Sequence, residues 1–157
     1  MGDLSAPPDV VARAASEAQA RPRLEGVPVL VVDDDPEVRD FLLALLSAAG
    51  AEVRAAASVA DAVAELERWW PSVLLSDIGM PGEDGYTLIR AVRALSHRRE
   101  RRLPAAALTA HVQSEDRMRV LAAGYQAHVA KPADPDALIA LLARLAQSAT
   151  PERAPKG

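Results

Sequence analysis

Five residues in this chain could do chemistry together: Asp33, Asp34, Asp77, Thr109 and Lys131. Val29-Leu30-Val31-Val32 runs into the aspartates at 33–35, and Val73-Leu74-Leu75-Ser76 runs into Asp77. Pro104 to Leu108 leads to Thr109, and Ala127 to Ala130 leads to Lys131. Short apolar runs bounded by polar residues read as buried parallel strands. Open α/β sheets place their ligands at the carboxyl ends of such strands. Three carboxylates in one crevice repel each other unless a cation compensates them. A hard cation with oxygen ligands would do so, and Mg²⁺ suits a small site that also keeps waters and a phosphate oxygen.

A carboxylate such as Asp77 can also attack phosphorus and form an acyl phosphate. That attack needs the charge on the transferring group neutralised. A lysine ammonium is a compact point charge suited to phosphate, and a threonine hydroxyl can donate to a phosphoryl oxygen. Taken singly, each residue has an ordinary role. The triple Asp could cap a helix, and Thr109 could simply end a strand. What separates the two readings is that all five fall at or just beyond the ends of four different strands. Lys131 stands out further, because only two of the 18 basic residues are lysines and the other, Lys156, lies near the C-terminus.

Strand and helix signals alternate five times. After the first strand, Asp35-Pro36 opens a helix with an apolar stripe at Val38, Leu42, Leu45 and Leu46, ended by Gly50. Glu52 to Ala56 is a short second strand, and Ser58 caps a helix carrying Val59, Val63 and Leu66. The third strand, 73–76, is followed by a loop and a helix with Leu88, Val92 and Leu95. A charged connection, Arg98 to Arg102, precedes the fourth strand. Ser114 then starts a helix with a stripe at Met118, Leu121 and Ala122, closed by Gly124 in a cap position. After the fifth strand, Asp134-Pro135 opens the last helix, with Leu138, Leu141, Leu142 and Leu145 inward. Five βα units predict a parallel sheet with helices on both faces. The expected fold class is α/β, a flavodoxin-like (βα)5 with strand order 2-1-3-4-5. The crevice between the first and third strands would gather Asp33, Asp34 and Asp77.

Length and composition bound the partners. The chain of 157 residues fits one domain with tails, and its 25% charged and 50% apolar content is ordinary for a globular protein. A net charge of −4 leaves no basic footprint for nucleic acid. No apolar run reaches bilayer length and no signal segment opens the chain, so no membrane insertion is expected. Without cysteine there is no disulfide framework and no thiolate chemistry. A cytoplasmic protein is the default expectation. Residues 1–26 read as a tail or linker, with Asp9 to Ala20 able to form a helix; 27–148 read as the domain and 149–157 as a disordered tail.

The motifs Val-Leu-Val-Val-Asp33-Asp34-Asp35, Leu-Ser-Asp77-Ile-Gly-Met80-Pro81-Gly-Glu-Asp-Gly85, Ala-Leu-Thr109-Ala110 and Ala-Lys131-Pro132 occur in that order. Over roughly residues 27 to 147 the chain resembles the receiver domain of two-component response regulators. The resemblance implies a phosphoacceptor signalling domain rather than an enzyme in its own right. It places Mg²⁺ on Asp33 and Asp34, with the backbone carbonyl of Gly79 as a further ligand, and it makes Asp77 the acceptor of phosphate from a phosphohistidine. The hydroxyl and lysine roles fall on Thr109 and Lys131. The donor would be a sensor histidine kinase or a histidine phosphotransfer protein, with an unknown downstream target. The fourth helix, fifth strand and last helix would form the signalling face. The chain departs from the family at the switch position three residues before the lysine, where an aromatic is usual and His128 stands. As an ordinary strand residue, His128 would lie half exposed beside the last helix.

Gly79 and His111, two residues past Asp77 and Thr109, would flank the phosphoryl group and set its lifetime. The Gly-Met-Pro-Gly-Glu-Asp-Gly-Tyr loop and the basic connection look more like the terminal receiver of a hybrid histidine kinase than a stand-alone regulator. Two rivals use the same residues. A haloacid-dehalogenase-type phosphatase would make Asp33 the nucleophile, but the late acidic pair of that family is missing. A pseudo-receiver would bind partners without being phosphorylated, which the complete set of acids, hydroxyl and lysine argues against.

Overall fold

The computed structural model describes residues 23–79, 85–110, 114–131 and 133–148. Five strands, β1 (Pro28–Val32), β2 (Glu52–Ala56), β3 (Val73–Asp77), β4 (Ala105–Thr109) and β5 (Ala127–Ala130), alternate with five helices. The helices are α1 (Pro36–Ala48), α2 (Val59–Arg68), α3 (Gly85–Arg99), α4 (Ser114–Ala123) and α5 (Pro135–Ser148). The strands form one sheet in the order β2-β1-β3-β4-β5, with each neighbouring pair parallel. This is the expected flavodoxin-like topology. Among the described residues no helix is long and apolar enough to cross a membrane.

Side chains alternate across a strand, so each strand feeds both faces of the sheet. Val29, Val31, Val73, Leu75, Ala106 and Leu108 join Leu42 and Leu46 of α1 and Leu138, Ile139 and Leu142 of α5 in one core. Leu30, Val32, Leu74, Ala105 and Ala107 face the other way, onto α2, α3 and Val120 of α4. The central strands β3 and β4 are buried along their whole length, which is why they read as continuous apolar runs. Helix starts follow the caps foreseen from sequence. Asp35 accepts from the Glu37 amide at 2.9 Å, Ser58 Oγ from Asp61 at 3.1 Å, and Asp134 Oδ2 from Ala137 at 2.8 Å.

Two readings change. In α4 the stripe of Met118, Leu121 and Ala122 faces solvent, with Met118 68% exposed, and Val120 is the residue that enters the core. Apolar residues occupy every position from Val120 to Ala123, so periodicity gave no single face to choose. At the other end of the domain, Leu24 is fully buried in the α1–α5 core, and its amide bonds to Ala49 O at 2.8 Å. The segment just before β1 therefore packs on the sheet. Asp9 to Ala20 and residues 149–157 lie outside the described residues.

Candidate functional site

The strand alternation that builds the core also aims the site. Asp33 continues the Val29–Val31 series past β1, Asp77 the Val73–Leu75 series of β3, and Lys131 the Ala127–Val129 series past β5. All three therefore project toward the same side of the sheet, at its carboxyl edge. There Lys131 Nζ lies 3.1 Å from Asp77 Oδ1 and 3.3 Å from Asp33 Oδ2. Carboxylate oxygens of Asp33, Asp34 and Asp77 lie within 4.8 Å of one another. Asp33 and Asp77 are buried, whereas Asp34 is exposed at the mouth.

Backbone contacts fix the carboxylates. Asp33 Oδ1 accepts from the Asp35 amide at 2.9 Å, and its carbonyl accepts from Arg39 at 2.8 Å. Asp77 Oδ1 accepts from the Gly79 amide at 3.2 Å. Thr109, buried at the end of β4, has the alternation parity of Ala105 and Ala107, and its carbonyl accepts from the Lys131 amide at 2.8 Å. His128 pairs with Ala107 and so lies on that same face, away from α5, correcting the expectation that it sits beside the last helix. It is half-buried and engaged in an interaction of its own. His111 and Pro132 lie outside the described residues.

Charge in this crevice is not balanced. Burial pushes the Asp33 carboxyl above its ordinary value of 3.8; the Asp35 amide opposes this, the Asp77 charge adds to it, and Lys131 offsets it only in part. Burial alone would lower the Lys131 pKa, but its hydrogen bond to Asp77 and the charges of Asp33 and Asp77 outweigh burial and raise it above 10.5. One atom shows what is missing. Asp33 Oδ2 is fully buried and within ion-pair distance of Lys131, yet it has no hydrogen-bond partner among the described residues. A deeply buried carboxylate oxygen whose one cation among the described residues stands 3.3 Å away, facing two more carboxylates, fits a hard divalent cation with oxygen ligands.

Two residues that sequence reasoning gave no role, Gly85 of the second motif and Tyr125, support the site from behind. Gly85, the first residue of α3, donates its amide to Ile78 O at 3.1 Å. A Cβ there would lie 2.8 Å from Asp77 O and 2.9 Å from Ile78 Cα, so only glycine fits against that peptide. Tyr125, 2% exposed, donates its hydroxyl to Gly85 O at 2.7 Å. A glycine eight residues past the end of β3 and a tyrosine after a helix carry no local signal of these contacts.

Comparison with known proteins agrees with this geometry. Residues 29–143 match the model of the response regulator receiver domain. A 14.6 kDa protein of uncharacterised function from Leptolyngbya boryana is 45% identical over 73% of this chain and 86% of its own length. Response regulator Rre1 of Synechocystis is 36% identical over 77% of the chain. Sensor histidine kinase RcsC of Salmonella typhi is 34% identical over 80% of it. The chain spans 52% of Rre1 and 13% of RcsC, so those matches concern one domain of longer proteins. Among solved structures, Vibrio cholerae CheY4 superposes with TM-score 0.71 at 31% identity, covering 76% of this chain and 98% of that one. The receiver domain of a Pseudomonas aeruginosa sensor histidine kinase, solved with a magnesium ion coordinated in its active-site cleft, matches with TM-score 0.70 at 34% identity, over 78% of this chain and 98% of its own. The chain belongs to the response regulator receiver family. It is a receiver domain of two-component systems.

Proposed function

We propose that this domain accepts a phosphoryl group from a phosphohistidine onto Asp77, with Mg²⁺ bound between Asp33, Asp34 and Asp77. The observation that carries the proposal is the Lys131–Asp77–Asp33 cluster, with the half-buried ammonium 3.1 Å from Asp77 Oδ1 and 3.3 Å from the buried Asp33 Oδ2. In the transfer, an Asp77 carboxylate oxygen forms a bond to phosphorus as the phosphorus–nitrogen bond to imidazole breaks. The electron pair leaves with the imidazole, which takes up a proton. The metal would supply positive charge to the phosphoryl oxygens in flight.

The chain's own residues orient that step. The Gly79 amide holds one Asp77 oxygen at 3.2 Å and fixes the carboxylate plane. Lys131 approaches from the α1–α5 side, and Thr109 has the opposite alternation parity, so ammonium and hydroxyl reach an acyl phosphate from different directions. The Gly79 carbonyl would complete the metal's protein ligands. Thr109 and His128 share a sheet face, which supports their acting together as the switch. The half-exposed surface of α4, with Met118 and Leu121 outward, would be part of the signalling face with β5 and α5. A sensor histidine kinase or a histidine phosphotransfer protein is the proposed donor.

Incubation with acetyl phosphate and Mg²⁺, followed by borohydride trapping and peptide mapping, tests the proposal. A modified Asp77 supports it. Modification at Asp33 would favour a dehalogenase-type phosphatase, and no modification would favour a binding-only pseudo-receiver.

A further inference from the structure

Helix α3 holds the turn between α4 and β5 at two places. Midway along α3, the Arg93 guanidinium donates to Gly124 O at 2.6 and 3.2 Å and to Leu103 O at 2.7 Å. Gly124 ends α4 with φ +123, a conformation that L side chains rarely adopt. The next residue, Tyr125, reaches the opposite end of α3 and donates to Gly85 O at 2.7 Å. Nearby, the Arg119 guanidinium of α4 sits 5.1 Å above the Tyr86 ring. Gly85 itself closes the base of the loop that follows Asp77, through its bond to Ile78 O and its close approach to Asp77 O.

These contacts form a short physical chain from α4 to Asp77. We propose that the Tyr125 hydroxyl is a latch that positions Asp77 for phosphoryl uptake by pinning Gly85 against the Asp77–Ile78 peptide. Tyr125 is a positioning residue, acting through Gly85 rather than on the carboxylates themselves. The inference rests on the phosphoacceptor reading and adds a regulatory route to it. A partner that shifts α4 would strain or release the latch and thereby alter uptake at Asp77, and by linkage a change of state at Asp77 would alter binding at α4. Losing this 2.7 Å bond would cost the buried hydroxyl the acceptor it has at Gly85 O.

Tyr125→Phe in the full chain removes the donor and keeps the ring. The expected result is uptake from saturating acetyl phosphate slowed about threefold or more, with Mg²⁺ affinity unchanged, because misplacement of a reacting group costs rate rather than metal binding. The Gly85 amide should exchange with solvent faster in the variant than in the parent. Leu66→Ala, a core deletion in α2, serves as the comparison. It should lower Tm without slowing uptake, so a purely structural role for Tyr125 would make the two variants alike. Uptake by Tyr125→Phe at the parent's rate overturns the latch. If the parent takes up no phosphate, the phosphoacceptor reading fails instead, and Gly85 exchange decides the latch: faster exchange supports it, unchanged exchange overturns it.

Discussion

Lys131 Nζ and Asp77 Oδ1 stand 3.1 Å apart, although Asp77 ends β3 and Lys131 follows β5, with β4 between them. The ammonium spans the strand between them because Asp77 and Lys131 share an alternation parity at the same sheet edge. Lys131→Ala should therefore leave two buried carboxylates facing each other without compensation. The raised Lys131 pKa means its contribution is fully present below 10.5 and is lost as pH rises through the higher folded value. Thermal melts between pH 7 and 9 should show the variant destabilised by about 1–3 kcal/mol, with the deficit shrinking only at higher pH and Mg²⁺ recovering part of it.

Asp33→Asn should act in the opposite direction on stability. With its folded pKa raised, Asp33 favours the fold below 3.8, and that advantage is lost as pH rises through the folded value. At neutral pH the ionised carboxylate is a net cost to the metal-free fold, even with Lys131 beside it. Melting curves without Mg²⁺ should give the variant a Tm above the parent's. The upward shift that Mg²⁺ gives the parent should be absent. A lower metal-free Tm for Asp33→Asn would count against an uncompensated carboxylate.

Gly85→Ala forces a methyl to 2.8 Å from a backbone oxygen and 2.9 Å from a backbone Cα, neither of which can swing aside. A cost of about 1–3 kcal/mol is expected from such overpacking. Urea denaturation measures that, and uptake of phosphate at Asp77 should fall with it. By contrast, no described residue lies within 4 Å of a Cβ built on Gly79, which is exposed. Gly79→Asn should leave Tm nearly unchanged while altering the decay of the acyl phosphate severalfold, because a side chain there can screen or position water. His111→Ala, at the position that the sequence alone leads one to expect on the other flank, should change the same decay severalfold.

Most of the site could be read in the sequence because parallel strands announce their ends. A buried run such as Val73 to Leu75 carries no charge until the sheet edge, so Asp77 marks its own position, and the same holds for Asp33 and Thr109; Lys131 follows a half-buried strand that already holds His128. Five short βα units with right-handed crossovers left few strand orders open, and the expected one among them is the order observed. What could not be read were contacts whose partners are backbone atoms far along the chain. Tyr125 bonds to a carbonyl forty residues away, and Arg93 to one thirty-one residues away. Neither pairing leaves a trace in spacing or charge. Helix α4 was misread because its apolar residues are adjacent rather than periodic, and Leu24 because a single buried leucine before a strand resembles a linker residue.

The central proposal is that one carboxylate carries the phosphoryl group, and uptake by Asp77→Asn measures this most directly. Parent and variant are incubated with labelled acetyl phosphate and Mg²⁺, and the protein-bound label is followed over time. The parent should accumulate acid-stable, base-labile label while the variant stays at background, with its fold intact by circular dichroism. Label entering Asp77→Asn as fast as the parent would contradict it.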